Sequence, residues 1–380
     1  MKEFSFSTRI YFGQGSLERL HQISGRNVFL VTDEFMVKSG AVKKVTSHLK
    51  DCRVAVFSEV IPDPPVSNVI NGVQAFLDSE ADVMIALGGG SVIDAAKAIR
   101  AVAGEVPGAT EVREAFAIPT TSGTGSEVTD YSVITDPEKG VKYALGDRLL
   151  QPPVAILDPE LVMTVPPSVT ADTGMDVLTH ALEAFVSTNF NDFSDAMAEK
   201  AISLVDRWLP MAYSDGKNPL AREKMHNASC MAGLAFNSAG LGLAHGISHA
   251  LGARLHLPHG RTNAIVLPHV MRFNADLKGY KGGEQSLAAR KYQRLAKVLN
   301  LRDPNSALLD AEDFICQVEK LCRNLGIPAT LREAGADMAL YRASKDEIIR
   351  AALADSCTAT NPRSPDYADV AEILDQLSGE

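Results

Sequence analysis

No apolar run in the 380 residues approaches the roughly 20 that a membrane-spanning helix needs. The opening residues MKEFSFSTRIYFG lack the apolar core of a secretory signal. Cysteine is scarce: Cys52, Cys230, Cys316, Cys322 and Cys357 are five in number, an odd count with no Cys-x-x-Cys pair. That argues against a disulfide framework or a cysteine zinc site and makes a reducing cytoplasm the expected compartment. Positive charge is in deficit, with 37 Lys and Arg against 47 Asp and Glu and a net charge of −10. Neither a nucleic-acid partner nor a membrane partner is expected. Internal repeats and low-complexity segments are also missing. What remains is an ordinary globular composition, 46% hydrophobic and 22% charged, in a chain long enough for two domains.

The two parts of the chain are patterned differently. Short apolar runs at 27–31 (NVFLV), 53–57 (RVAVF), 81–87 (ADVMIAL), 115–118 and 154–157 (VAIL) alternate with helical segments such as 91–103. Continuous apolar runs suit parallel strands buried on both faces, so residues 1–165 are expected to form an α/β domain with a mostly parallel, Rossmann-like sheet. After Pro166-Pro167 the pattern turns helical, rich in Ala, Leu and Met, with Ser168 or Thr170 as the expected first cap. Residues 166–380 are expected to form an all-α domain.

Within the first part, GGGSVIDAAKAI (88–99) runs from a strand through a glycine turn into a helix that Ser91 can cap. Helix N-termini offer free N–H groups and a positive dipole end, which suits a pyrophosphate. The same turn would also serve tight strand–helix packing. PTTSGTGSEVT (119–129) adds hydroxyls and backbone donors behind a strand end. Asp33, just past the first buried strand, can accept from a ribose 2′-hydroxyl and repel a 2′-phosphate, favouring NAD(H); it also suits a helix cap.

Four of the nine histidines fall in HGISHALGARLHLPHG (245–260): His245, His249, His256 and His259. His245 and His249 are four apart on an expected helix that ends near Gly252, with His259 in a turn beyond it. In GMDVLTHALEAF (174–185), Asp176 and His180 are also four apart and share a helix face. Glu183 is read as a helix-surface or buried ion-pair residue rather than a general acid. One carboxylate and two or three imidazoles suit Fe(II), Zn(II), Mn(II) or Co(II), where a core of satisfied histidines is the alternative. Such an ion with an open position polarises a carbonyl or acidifies an alcohol.

Together these motifs resemble the iron-containing (group III) alcohol dehydrogenases over essentially the whole chain. The resemblance implies the dehydroquinate synthase-like architecture of an α/β nucleotide domain followed by an all-helical domain, with the metal in the cleft between them. By motif position, the implied metal ligands are Asp176, His180, His245 and His259. His249 is implied as the proton-relay residue beside nicotinamide and substrate. Asp33, Gly89, Gly90, Ser91, Thr120, Thr121, Thr124 and Lys142 are implied to contact NAD(H). The implied ion is Fe(II), with Zn(II) as the alternative occupant.

His256 departs from the family's pattern and is expected at the substrate mouth or outside the ligand shell; His269 is expected to be structural or pocket-lining. The phrases FSFSTRIYFGQGSL, FSEVIPDPP, AILDPELV and KMHNAS resemble the propanol dehydrogenase branch of propanediol-utilising microcompartments. That branch implies reduction of propanal or ethanal to 1-propanol or ethanol, a homo-oligomer, and a microcompartment shell or aldehyde dehydrogenase as partner. A diol or glycerol dehydrogenase and a hydroxyacid–oxoacid transhydrogenase are the alternatives. A dehydroquinate synthase-type lyase would need more basic residues near 245–269 than Arg254 and Arg261. Phe4, Phe6, Ile10 and Tyr11 suit a cargo tether or an edge strand.

Overall fold

The computed structural model describes residues 3–137, 141–276, 285–301 and 311–379. The chain divides into two compact units, residues 1–165 with 217–233, and residues 166–216 with 234–380.

In the first unit, β1 (Arg9–Phe12), β2 (Asn27–Val31), β3 (Arg53–Phe57), β4 (Val83–Gly88), β5 (Glu114–Pro119) and β8 (Val154–Leu157) form one parallel sheet in the order β1-β8-β5-β4-β2-β3. Every pairing in it is parallel. The apolar runs explain this, because side chains alternate across a sheet covered on both faces. Phe29, Val31, Met84 and Ala86 face α3 (Val66–Ser79) and α4 (Gly90–Gly104). Val28, Leu30, Ile85 and Leu87 join Leu17, Leu20 and Val45 on the opposite face. Two short helices, α1 (Glu34–Lys38) and α2 (Ala41–Thr46), follow β2.

One strand feature goes beyond the sequence expectation. β1, which holds Ile10 and Tyr11, is an edge strand, one of the two readings of that segment, whereas β6 (Tyr131–Asp136) with β7 (Val141–Gly146) forms a separate antiparallel pair that no apolar run marked. Buried Lys97 on α4 ties this pair down, donating to Ser126 Oγ at 2.9 Å, Thr129 Oγ1 at 3.0 Å and the Tyr131 carbonyl at 2.7 Å. Burial lowers its ammonium to about 8.

The second unit is helical among its described residues. It comprises α5 (Pro167–Val186), α6 (Asp192–Ser214), the end of α7 (Pro219–Ala239), α8 (Leu243–Leu255), α9 (His259–Ala275), α10 (Leu287–Val298), α11 (Ala311–Asn324), α12 (Met338–Ala354) and α13 (Tyr367–Ser378). Helix α5 starts earlier than expected: Pro166 is its N-cap and Pro167 its first residue, so neither Ser168 nor Thr170 caps it. Proline suits this position because its fixed φ is already helical and the missing N–H has no partner there. From Gly174 to Val186 every residue of α5 is buried. A helix apolar all round belongs at the centre of a bundle, which makes its buried Asp176, His180 and Glu183 exceptions that require partners. No helix among the described residues is long and apolar enough to cross a membrane.

Candidate active site

The candidate metal-binding residues converge within the second unit. Helix α5 presents Asp176 and His180 one turn apart, both buried, with His180 Nδ1 at 3.9 Å from Asp176 Oδ2. Helix α8 contributes His245, 1% exposed, whose ring stacks on His180 with centroids 4.6 Å apart. Single ligand atoms of Asp176, His180 and His245 all lie within 4.8 Å of one another. His259 Nε2 is 3.6 Å from Asp176 Oδ1. Atoms each about 2.1 Å from one ion stand roughly 3–4 Å apart, so this spacing fits a shared cation.

His259 is not in a turn as expected; it is the first residue of α9, with Pro258 as N-cap. Helix α8 runs to Leu255, past Gly252, and His256 ends it in a left-handed conformation at φ 55°. His256 is exposed and serves the chain reversal. Close approach at Gly260 brings α9 onto α5, since a Cβ there would meet the Asp172 carbonyl oxygen at 2.3 Å. Arg261 locks the contact by donating to both Asp172 oxygens, at 3.1 and 3.0 Å.

Two further observations test whether the donor set suits a cation. His180 Nδ1 is buried without a hydrogen-bond partner. The Asn263 amide nitrogen, fully buried, is 2.9 Å from Asp176 Oδ1, 3.2 Å from His245 Nε2 and 3.1 Å from His259 Nε2. One carboxylate oxygen and two imidazole nitrogens therefore face one buried point, a donor set that fits a divalent ion. Burial acts to raise the Asp176 carboxyl, but the surrounding imidazoles and the Asn263 amide hold it below the usual carboxylate range. Burial, reinforced by the neighbouring imidazoles His180 and His259, holds His245 well below the usual imidazole range. Glu183 is buried on the same face of α5, with Oε2 2.6 Å from His245 Nδ1, and burial pushes it up to about 7.

His249 lies beside this group, its ring stacked on His259 at 5.2 Å and its side chain 42% exposed. Its Nδ1 is 2.9 Å from Asp355 Oδ2. Burial opposes ionisation of Asp355, but the bond to His249 brings it down to about 2. His269 bonds Gln376 at 3.3 Å and is structural.

The nucleotide candidates belong to the first unit. Asp33, the Gly88–Gly90 turn and the Pro119–Thr129 loop follow the carboxyl ends of β2, β4 and β5, which are adjacent strands. The strand order changes direction between β2 and β4, and ligands of open α/β sheets bind at such a point. Gly89 caps α4, with no side-chain hydrogen bond. Ser91 is not the cap; its hydroxyl accepts from the Asp63 N–H at 3.3 Å. Thr124 lies against Gly90 and Thr121 against Gly89, while Thr120 is buried and donates its N–H to the Gly88 carbonyl at 3.0 Å. Asp33 does cap α1, accepting from the Met36 N–H at 2.9 Å. Lys142 pairs with Thr135 in β7, and its side chain lies outside the described residues. The loop also holds Ser122, whose Oγ is 2.9 Å from Nδ1 of buried His226.

Sequence reasoning did not reach Asn263, Asp172, Asp355 or His226. Asn263 stands one helical turn after His259, a spacing that marks it once the helix is known; Asp355 has no local signal at all.

Comparison with known proteins identifies the family. The model of the iron-containing alcohol dehydrogenases matches residues 7–159, and that of the C-terminal part of the same family matches residues 170–378. The 1-propanol dehydrogenase PduQ of Citrobacter freundii is 44% identical over 99% of this chain and 100% of its own length. An NADPH-dependent butanol dehydrogenase of Clostridium saccharobutylicum is 39% identical over 99% and 97%. Among solved structures, a 1,3-propanediol oxidoreductase superposes with a TM-score of 0.88 at 33% identity, covering 99% of this chain and 100% of the other. A sulfoacetaldehyde reductase from Bifidobacterium kashiwanohense, in complex with NAD+, gives 0.87 at 28% identity over 100% and 99%. The chain belongs to the iron-containing alcohol dehydrogenase family and is an oxidoreductase that interconverts alcohols and aldehydes.

Proposed function

We propose that the enzyme reduces short unbranched aldehydes, propanal foremost, with NADH, using a divalent ion held by Asp176, His180, His245 and His259. The observation that carries this reading is the buried convergence of Asp176, His180 and His245 around one point. Fe(II) is the ion we assign, on the family's chemistry. When bound, the ion supplies Lewis-acid activation of a carbonyl and the nicotinamide supplies hydride.

The chain's own residues then have distinct tasks. Asp176 brings negative charge and the imidazoles bring neutral donors, so the site keeps net positive charge when loaded. Asp355 anchors Nδ1 of His249 and leaves Nε2 as the nitrogen that exchanges a proton. Its half-exposed ring suits a relay to solvent. In the first unit, the uncapped start of α4 and the hydroxyls of Thr121 and Thr124 would receive the pyrophosphate. Asp33 has one oxygen engaged in its cap and would use the other for the adenosine ribose.

The substrate reading draws support from the 44% identity to a 1-propanol dehydrogenase. On the same likeness we propose that the enzyme is a cytoplasmic homo-oligomer working in a microcompartment, where it regenerates NAD+ for an aldehyde dehydrogenase. Protein purified without oxygen, stripped by chelator and reloaded with Fe(II) should oxidise NADH with propanal. Activity equal in the stripped enzyme would overturn the metal reading. Turnover that needs a second carbonyl acceptor and no free NADH would replace it with a transhydrogenase.

A further inference from the structure

We propose that Glu183 is a positioning residue for the metal centre, fixing His245 in the tautomer that offers Nε2 to the ion. This rests on the reading of His245 as a ligand. Asp176, His180 and Glu183 stand at i, i+4 and i+7 on α5, so one helix face would carry two ligands and the group that orients a third.

The geometry around Glu183 is complete. Oε1 accepts from the Ala244 N–H at 2.6 Å, and Oε2 accepts from the Gly242 N–H at 2.9 Å. Oε2 is also 2.6 Å from His245 Nδ1. Glycine at 242 leaves room for this approach, because a Cβ there would lie 2.8 Å from Oε1 and 2.9 Å from Asn361 Oδ1.

The proton positions follow from the other end of the ring. The Asn263 amide nitrogen is 2.9 Å from Asp176 Oδ1, and a carboxylate only accepts. The nitrogen of Asn263, not its oxygen, therefore faces the ligands. It lies 3.2 Å from His245 Nε2, and an amide nitrogen only donates, so the contact favours Nε2 as an acceptor. A neutral imidazole with Nε2 as acceptor carries its proton on Nδ1, and that proton goes to Glu183. The result is a carboxylate–imidazole arrangement whose free lone pair points at the proposed ion. Groups in that position orient the ring and raise its basicity, and their loss typically costs about 10–100-fold in metal affinity.

Glu183→Gln tests the assignment. The amide offers one acceptor where three N–H groups converge, and its NH2 would favour the opposite tautomer. Zn(II) affinity, measured on apo protein by competition with a chromophoric chelator, should fall about 10–100-fold. NADH binding and the apo unfolding temperature report that the chain is still folded. Glu183→Asp, which keeps an acceptor, should recover part of the affinity. Wild-type affinity in Glu183→Gln with a lowered unfolding temperature would reduce Glu183 to a cap of α8 and overturn the proposal. Unchanged affinity in His245→Ala would instead overturn the ligand reading itself. Histidine-selective 15N NMR of the unmutated apo protein needs no variant: His245 should carry its proton on Nδ1, and a proton on Nε2 would contradict the proposal.

Discussion

Arg261 meets Asp172 side-on, with Nε and Nη2 each bonded to one carboxylate oxygen at 3.1 and 3.0 Å. The pair joins the first turn of α9 to the second turn of α5, the two helices that bear His259 and Asp176. Arg261→Lys keeps the charge but loses the planar fork. It should lower metal affinity on the order of tenfold and stability by about 1–3 kcal/mol, read by chelator competition and denaturant unfolding. Wild-type metal affinity would show that His259 does not depend on this clasp.

Asp33 holds two roles that can be separated. Its Oδ1 caps α1 through the Met36 N–H. Asparagine caps nearly as well but carries no charge. Asp33→Asn should therefore leave thermal stability almost unchanged while narrowing the preference for NADH over NADPH. Steady-state kinetics with both cofactors decide it, and an unchanged ratio would leave Asp33 as a cap alone.

The dyad of His249 and Asp355 predicts a separation of chemistry from metal binding. His249→Ala should leave metal content intact and lower kcat by about 10²-fold or more. Asp355→Asn should lower kcat less, because the imidazole remains but loses its anchor. Loss of metal from either variant would move His249 into the ligand set.

His226 makes part of the stability pH-dependent. Burial lowers this imidazole from its ordinary 6.5 to about 4, so the unfolded chain binds its proton first. Stability from this group is complete above pH 6.5 and is lost as pH falls toward 4, on the order of 3 kcal/mol. Comparing denaturant unfolding of the wild type and His226→Asn at pH 7.5 and pH 5 isolates it. The wild type should lose more stability on acidification than the variant; equal losses would contradict a neutral buried His226.

The parallel strands were legible because their apolar runs are continuous, and β2, β3 and β8 match the sequence reading residue for residue. The β6–β7 pair was not, since β6 is held by Lys97 and Asp94 on α4, a buried and a half-buried charge that no periodicity announces. Asp176 and His180 declared themselves by helical spacing. His259 was harder: its position comes from close approach at Gly260 and from Arg261, both tertiary effects. Glu183 could be seen on the right face but not given a partner, because His245 is 62 residues away in the chain. Asp355 is farther still from His249, and only the packed unit brings them together.

X-ray absorption spectroscopy of the Fe(II)-loaded enzyme tests the central claim most directly. The account predicts a shell of nitrogen and oxygen only, with the outer scattering of three imidazoles, lost in part in His245→Ala and in His259→Ala. Sulfur in the shell, or a spectrum unchanged by both substitutions, would contradict it.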